Sequence, residues 1–392
     1  MVDRSLERAR LSRVTSKAQP VPPKTRLASV DCLRGLALFG VLAINLETEF
    51  RVSIFAQFLP HAPQHGWNGL IDSALRLLAA GKAFALFSFL FGAGLAIQHE
   101  RLAASGRRVV LLVRRLLALL AFGLIHLLFI WNGDILTEYA LAGLFVLPLL
   151  WIGTRGLAAA AILCLALYLV LPLWAWIVPI APADVLTAHI AAATRAYGQG
   201  GFGEVLAFRF RELPMILPLH LQVLPRTLGL MLLGALLWRS GFFTGGWSQT
   251  RYAWPIASGL VAAGLLLELR PTLIGLIAPQ LSPVLLALGY AALVVVAVDR
   301  GGRRWLGWAE PVGRMAFTNY LLQSVAMGFL FYGYGLGLFG QLDLVTGLAI
   351  VLALFGAQIV ASRLWLAHFR YGPVEWLWRR LMYGAGVNSP LP

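Results

Sequence analysis

The sequence predicts an all-α fold, a polytopic helical membrane protein with about ten transmembrane helices and both termini in the cytoplasm. Of its 392 residues, 59% are hydrophobic and only 12% are charged, and the mean hydropathy is +0.77. A soluble protein carries about 25% charged residues. Apolar stretches of roughly 20 residues, the length that crosses a bilayer as a helix, recur along the whole chain.

Ten apolar stretches are predicted to be membrane spans. In order they cover residues 31–49, 81–98, 109–131, 133–152, 156–180, 214–238, 252–269, 279–298, 312–335 and 342–362. They are expected to form one transmembrane domain over residues 26–380. Residues 1–25 are rich in Arg, Ser and Pro and predict a disordered cytoplasmic tail. Residues 381–392 are expected to be a C-terminal tail.

The distribution of basic residues sets the predicted orientation. With ten spans and a cytoplasmic N-terminus, 24 of the 32 lysines and arginines fall on the inner side, 7 on the outer side, and Arg226 in mid-span. This excess follows the positive-inside rule. The net charge of +15 is therefore attributed to topology and contact with anionic lipids rather than to nucleic-acid binding.

No metal site is predicted. The sequence has no CxxC, HExxH or Walker A pattern, and its two cysteines, Cys32 and Cys164, are far apart in apolar surroundings. Both are interpreted as small core residues.

Polar residues inside the first span are the first candidates for function, because ionisable groups in a membrane are costly unless paired. Asp31 and Arg34 are three residues apart and can pair across one turn. Asn45 lies on the Arg34 face, near the outer end. Either the pair anchors the helix, or Arg34 faces a pocket that holds a phosphate or carboxylate.

A short polar patch interrupts the third and fourth spans. It contains His126, Asn132, Asp134, Glu138 and Tyr139. Asp134 can cap the fourth helix, where its carboxylate suits the positive helix end. Alternatively, the tight hairpin brings Asp134 or Glu138 to His126, and a carboxylate beside an imidazole fixes its tautomer for general base catalysis.

Three later segments carry further polar candidates. Arg226 lies near the middle of a span that also contains Pro214, Pro218 and Pro225, which are expected to disrupt the helix. Arg226 is predicted to face a cavity or a protein partner rather than lipid, while His220 lies nearer the outer end and carries less weight. Asn319 and Gln323 form an amide face suited to interhelical hydrogen bonds or to a ligand. His65 lies in an outer loop, where most histidines are simply solvated.

Five segments together resemble the bacterial YeiB-like membrane proteins. They read RLASVDCLRGLALFGVLAIN, GKAFALFSFLFGAG, GLIHLLFIWNGDILTEYALAG, GRMAFTNYLLQS and FRYGPVEWLWR. This family carries a C-terminal domain of uncharacterised function and is similar in layout to multi-span acyltransferases, including heparan glucosaminide acetyltransferase. The resemblance implies a multi-pass protein of the bacterial inner membrane.

The acyltransferase resemblance rests on particular residues. The shared opening is Arg26 followed by Asp31, Arg34 and Gly35, and the segment HGWNGL, which begins at His65, looks like the part of the heparan enzyme with its catalytic histidine. The O-acyltransferases have a histidine in the outer part of their first helix. Here Asn45 lies near that point, which favours His126 or His65 as the base.

We therefore expect an acyltransferase that moves an acyl group, for example acetyl from coenzyme A, to a hydroxyl or amine of a sugar or envelope component. His126 oriented by Asp134 would be the base, with His65 as competitor, and Arg226 would stabilise negative charge. Arg34 would hold the anionic part of the donor. The alternative is a transporter or flippase for an anionic or lipid-linked solute.

Overall fold

The computed structural model describes residues 27–60, 64–174, 181–244 and 246–384, and within this part of the chain every regular element is helical. The predicted all-α class is confirmed. The predicted tail over residues 1–25 lies outside the described residues, as do the last eight residues of the predicted C-terminal tail.

Fifteen α-helices form the described fold. In chain order they are α1 (Ala28–Asn45), α2 (Gly66–Leu78), α3 (Lys82–Arg101), α4 (Arg108–Ile125), α5 (Leu136–Leu149), α6 (Thr154–Val170), α7 (Ala183–Gln199), α8 (Phe202–Arg239), α9 (Ala253–Leu269), α10 (Ala278–Ala297), α11 (Arg303–Leu306), α12 (Glu310–Arg314), α13 (Ala316–Phe331), α14 (Leu344–His368) and α15 (Pro373–Tyr383). α1 and α4 each continue into one π-helical turn, Leu46–Phe50 and His126–Ile130.

Six helical stretches are long and apolar enough to cross a membrane. They are Ala28–Phe50, Gly66–Arg101, Arg108–Ile130, Phe202–Arg239, Gly275–Leu306 and Leu344–His368. Four shorter apolar helices, α5, α6, α9 and α13, coincide with the other predicted spans. The chain is thus a multi-pass membrane protein by the length and composition of its helices. α5 has 14 residues and rises only about 21 Å, because the start of its predicted span forms a turn instead.

The longest helix differs from its prediction. α8 begins at Phe202 rather than near residue 214, and it runs through Pro214, Pro218 and Pro225 to Arg239. Each proline removes one backbone hydrogen bond but fits the helical φ, and membrane helices tolerate this loss where neighbours contact the freed carbonyls. The helix therefore carries polar side chains from the connection after α7 into the bundle without interruption.

The first helix lies at the centre of the bundle. In the most apolar window of Ala28–Phe50, 78% of residues are buried inside the protein, against 28% for α14 at the periphery. Both ends of this helix can therefore contribute side chains to interior sites.

α3 and α8 pack with their backbones almost in contact. A Cβ atom on Gly92 would lie 1.9 Å from the carbonyl oxygen of Met231, and one on Gly234 would lie 2.0 Å from that of Phe89. Only glycine permits this approach, which is the small-residue packing typical of membrane helices. The contact fixes the position of the α8 segment around Arg226 relative to α3.

Candidate functional site

The turn between α4 and α5 holds a fully buried imidazole–carboxylate pair. His126 Nδ1 lies 2.8 Å from Asp134 Oδ1, and both side chains have no exposed surface. Asp134 Oδ2 accepts a hydrogen bond of 2.7 Å from the backbone N–H of Thr137 at the start of α5. Asp134 therefore caps the helix and orients the imidazole at the same time, so the two sequence interpretations of this residue are compatible.

His126 is enclosed by aromatic rings. Its ring centroid lies 5.1 Å from that of Tyr320 and 6.0 Å from that of Trp131. Its Nε2 is buried and has no hydrogen-bond partner among the described residues. His126 and Asp134 line neither of the two cavities found in the described bundle.

Glu138, in the first turn of α5, pairs with a different histidine. Its Oε2 lies 3.1 Å from Nδ1 of His220, and its Oε1 accepts a hydrogen bond of 2.5 Å from the Thr227 hydroxyl. His220 and Thr227 are seven residues apart, two turns of α8, and so share one face. The side chain of His220 is 28% exposed, whereas that of Glu138 is 8% exposed. This second imidazole–carboxylate pair, unlike the first, is reachable from a cavity.

One cavity of about 420 Å³ lies among the end of the first helical stretch, the start of α5 and the middle of α8. We call it the glutamate cavity after its three carboxylate-bearing residues, Glu47, Glu49 and Glu138. His220, Arg226 and Thr227 also line it. Arg76 from α2 reaches Glu47 at 3.4 Å and Asp72 at 3.0 Å across its rim.

Arg226 lies in this cavity and not toward lipid. It is 8% exposed, its Nε has no hydrogen-bond partner within the described chain, and its guanidinium is 5.7 Å from the Tyr168 ring centroid. The described residues give Arg226 no ion pair, neither with Asp134 nor with Glu138. A buried cation without a protein anion is suited to receive negative charge from a ligand.

A second cavity, of about 410 Å³, lies at the other end of the bundle. We call it the basic cavity because five arginines line it: Arg34, Arg101, Arg115, Arg314 and Arg379. Arg34 is bound to Asp31 at 3.0 Å. The acidic lining residues Asp31 and Glu375 are outnumbered, so the cavity is positively charged overall.

Arg115 is the deepest cation of the basic cavity. It is 8% exposed, and its Nη1 is buried without a hydrogen-bond partner in the described structure. Its guanidinium stacks over Trp378 at 4.5 Å and lies 5.6 Å from the Phe91 ring centroid. The aromatic contacts orient the side chain without neutralising it, so its donors remain available to an anion.

The C-terminal helix α15 closes one wall of the basic cavity. Glu375 accepts hydrogen bonds of 2.8 and 3.0 Å from the backbone N–H groups of Phe317 and Thr318 at the start of α13, and one from the Thr318 hydroxyl. Burial raises the pKa of Glu375, while these hydrogen bonds oppose the rise. The contact holds Trp378 of the same helix over Arg115.

The two cavities meet at Ile135 and Tyr139, which line both of them. The Tyr139 hydroxyl donates to the carbonyl oxygen of Phe84 at 2.9 Å and lies 3.1 Å from Ser88 Oγ. Arg34 and Glu47, which line opposite cavities, are thirteen residues apart along the first helical stretch, or about 20 Å. The cavities therefore lie end to end through the bundle with one tyrosine between them.

The other predicted residues lie elsewhere. Asn319 donates to Ser362 Oγ at 2.9 Å and Gln323 donates to Gln358 at 2.7 Å, so they hold α13 against α14 and line neither cavity. Asn45 is buried with its Oδ1 unpartnered among the described residues, and it also lines neither cavity. His65 is exposed at the start of α2 and lines neither cavity.

Two residues gain importance from the structure. Arg115 is not among the residues that the sequence singles out, and its contact with Trp378 joins residues 263 positions apart. His220 carried little weight in the sequence because it lies nearer the end of its predicted span, and its partner Glu138 is 82 positions away. The available signal was an ionisable residue within an apolar helix, which marks a site but does not identify its partner.

Comparison with known proteins places the whole chain among bacterial relatives. Residues 237–385 match the family described as "Protein of unknown function (DUF418)". The chain is similar to the "Uncharacterized protein YxaH" of Bacillus subtilis (strain 168), with 32% identity over 94% of this chain and 97% of the relative. It is 34% identical to the "Uncharacterized protein YeiB" of Escherichia coli (strain K12), over 91% and 96% of the two chains. No solved structure matches it.

Proposed function

The chain belongs to the YeiB-like family of bacterial membrane proteins, and for this member we propose an acyltransferase activity. The proposed reaction moves an acyl group from a thioester donor such as acetyl-coenzyme A to a hydroxyl or amine of a sugar or envelope component. One observation carries the proposal: two cavities of different charge lie end to end and share Tyr139. This arrangement suits a reaction in which the donor binds in one cavity and the acceptor binds in the other.

The basic cavity fits the anionic end of the donor. Arg115 offers a buried, unpartnered guanidinium nitrogen, and Arg34 lies in the same cavity with 32% of its side chain exposed. Arginine is the side chain best suited to bind phosphate through two hydrogen bonds. The apolar lining toward Tyr139, which includes Leu119 and Phe317, suits a narrow uncharged arm. When bound, the donor supplies a thioester carbonyl, which is the electrophile of the reaction.

The glutamate cavity fits the acceptor. A histidine paired with a carboxylate is the kind of base that acyl transfer requires, and the His220–Glu138 pair lines this cavity, whereas the fully buried His126–Asp134 pair does not. Arg226 lines the cavity with its charge uncompensated and would stabilise the oxyanion that develops on the acyl carbonyl. The amide and hydroxyl side chains of Gln57, Gln222 and Thr48 suit a polyhydroxylated ligand.

Binding of coenzyme A tests the donor site directly. We expect isothermal titration of the purified protein in nanodiscs to show binding, and Arg115→Gln to weaken it at least tenfold, because a charge-assisted contact with phosphate is lost. Arg155→Gln is the matched control, since Arg155 is exposed at the start of α6 and lines neither cavity. Absence of coenzyme A binding to the wild-type protein, or equal affinity for the Arg115 variant, would refute the donor site.

We also propose ten crossings of the bacterial inner membrane, with both termini in the cytoplasm. The asymmetry of 24 inner to 7 outer basic residues supports this orientation, and it places the basic cavity at the cytoplasmic face, where coenzyme A is found. A fluorescent protein fused after Pro392 is expected to fluoresce, whereas alkaline phosphatase fused there should be inactive. The reverse pattern would overturn the orientation and the assignment of the donor side.

A transporter of an anionic or lipid-linked solute is the second candidate. The observation that favours it is the same alignment of cavities, because a solute could pass Tyr139 and be held by Arg226 midway. Proteoliposomes separate the two functions. Acylation of an envelope-glycan extract with radiolabelled acetyl-coenzyme A supports the enzyme, whereas solute accumulation without acylation supports the transporter.

A further inference from the structure

We infer that His220, held by Glu138, is the general base that acts on the acceptor, and that His126 is not. The inference rests on the proposed acyltransferase function and assigns its proton-transfer step. It starts from the difference between the His126–Asp134 pair and the His220–Glu138 pair, since of these two histidines only His220 lines one of the two cavities described above.

The geometry leaves the outward nitrogen of His220 available. Its Nδ1 is occupied by Glu138 Oε2 at 3.1 Å, which selects the tautomer with the proton on Nδ1 and the lone pair on Nε2. Its side chain is 28% exposed, and no described residue bonds its Nε2. A general base must reach the proton that it removes directly or through one water. His126 has no exposed surface and lines neither the glutamate cavity nor the basic cavity, so it does not meet this condition.

Glu138 is a positioning residue, and each of its two carboxylate oxygens contacts one side chain of α8. Its Oε1 accepts a hydrogen bond of 2.5 Å from the Thr227 hydroxyl, and its Oε2 faces His220. Because Thr227 and His220 lie on one face of α8, the carboxylate bridges two turns of the helix and cannot rotate without losing a partner. This fixation holds the imidazole plane and stabilises the imidazolium that forms during catalysis.

The step balances as follows. His220 Nε2 takes the proton from the acceptor hydroxyl while the acceptor oxygen forms a bond to the carbonyl carbon of the thioester. The carbon–sulfur bond then breaks, and the sulfur leaves with the electron pair and receives the proton from the His220 imidazolium. Arg226, which lines the same cavity, faces the charge that gathers on the carbonyl oxygen in between.

The test measures transfer of radiolabelled acetyl from acetyl-coenzyme A to an envelope-glycan extract by purified variants. We expect His220→Ala to lower turnover at least 100-fold and to leave coenzyme A affinity within twofold of wild type. Imidazole added to the buffer should restore part of the lost turnover, because the vacated space is open to the glutamate cavity. A merely structural role would not be rescued by imidazole.

His189→Gln is the matched control. His189 forms a similar pair with Glu212 at 2.8 Å, and its side chain is 15% exposed, but it lines neither cavity. We expect this variant to keep wild-type turnover. Glu138→Gln should lower turnover while retaining the Thr227 contact, and it provides a second variant if His220→Ala does not fold.

Chemical modification gives a readout that does not depend on turnover. Diethylpyrocarbonate followed by mass spectrometry should label His220 and leave His126 unlabelled. Labelling of His126 but not His220, or wild-type turnover in His220→Ala, would overturn the inference. If the wild-type protein binds coenzyme A and transfers acetyl in that case, the proposed function survives. If it does neither, the proposed function itself fails.

Discussion

Replacing Arg226 with methionine is expected to lower the rate of acyl transfer by about 10²–10³ while leaving the fold intact. A single oxyanion donor contributes this much to kcat in acyl-transfer enzymes. The fold does not need the charge, because Arg226 has no ion pair among the described residues and is 8% exposed. Methionine retains most of the side-chain volume and removes an uncompensated buried cation, so the melting temperature should stay equal or rise.

Lys82→Met is the control for this result. Lys82 is also a buried cation, but its Nζ lies 2.9 Å from Glu268 Oε2 and donates to the carbonyl oxygen of Arg76 at 2.6 Å. Its removal takes away the cation that Glu268 contacts and should lower the melting temperature. Initial rates of acetyl transfer and thermal unfolding in the same detergent give both quantities. A destabilised Arg226→Met protein with an unchanged rate per folded molecule would contradict the catalytic role.

Asp134→Ala is expected to destabilise the protein by about 2–6 kcal/mol, because each of two donors left without an acceptor costs about 1–3 kcal/mol. The change leaves two buried donors without their acceptor, the imidazole of His126 and the backbone N–H of Thr137. Asp134→Asn should cost much less, because an asparagine oxygen still caps α5. Equilibrium unfolding in mixed micelles measures the difference.

Asp343 at the start of α14 provides the comparison for Asp134. Its carboxylate accepts from the backbone N–H of Thr346 at 3.0 Å, as Asp134 does from Thr137, but it is solvent-exposed and holds no imidazole. If Asp343→Ala and Asp134→Ala destabilise the protein equally, the His126 contact contributes nothing and Asp134 is only a helix cap.

Local features of the fold were predictable from the sequence. Hydropathy marks the helices because each must present a continuous apolar surface to lipid. The cost of a buried cation predicted that Arg226 avoids lipid, and the eight-residue separation of His126 and Asp134 predicted their proximity. The boundaries of α8 were less predictable, because proline in a sequence predicts an interruption of a helix, whereas membrane helices accommodate it.

The residue pairs that join distant helices were not predictable. Glu138 with His220, and Arg115 with Trp378, depend on which helices pack together, and a single sequence carries no such information. The amide face of Asn319 and Gln323 also depends on which helix packs against it. Its pattern was compatible with a ligand site, but the partner helix α14 supplies Ser362 and Gln358 at hydrogen-bond distance.

The position of Tyr139 between the two cavities has an electrical consequence. In the proposed reaction only the uncharged thioester end of the donor passes this residue, while the phosphates of the donor stay beside Arg115 and the proton is exchanged near His220. Moving one elementary charge through a membrane potential of 100 mV changes the free energy by about 2.3 kcal/mol. Because the donor's charges do not cross the membrane, the free energy that drives the reaction comes from cleavage of the thioester. The rate of acyl transfer should therefore be nearly independent of the membrane potential.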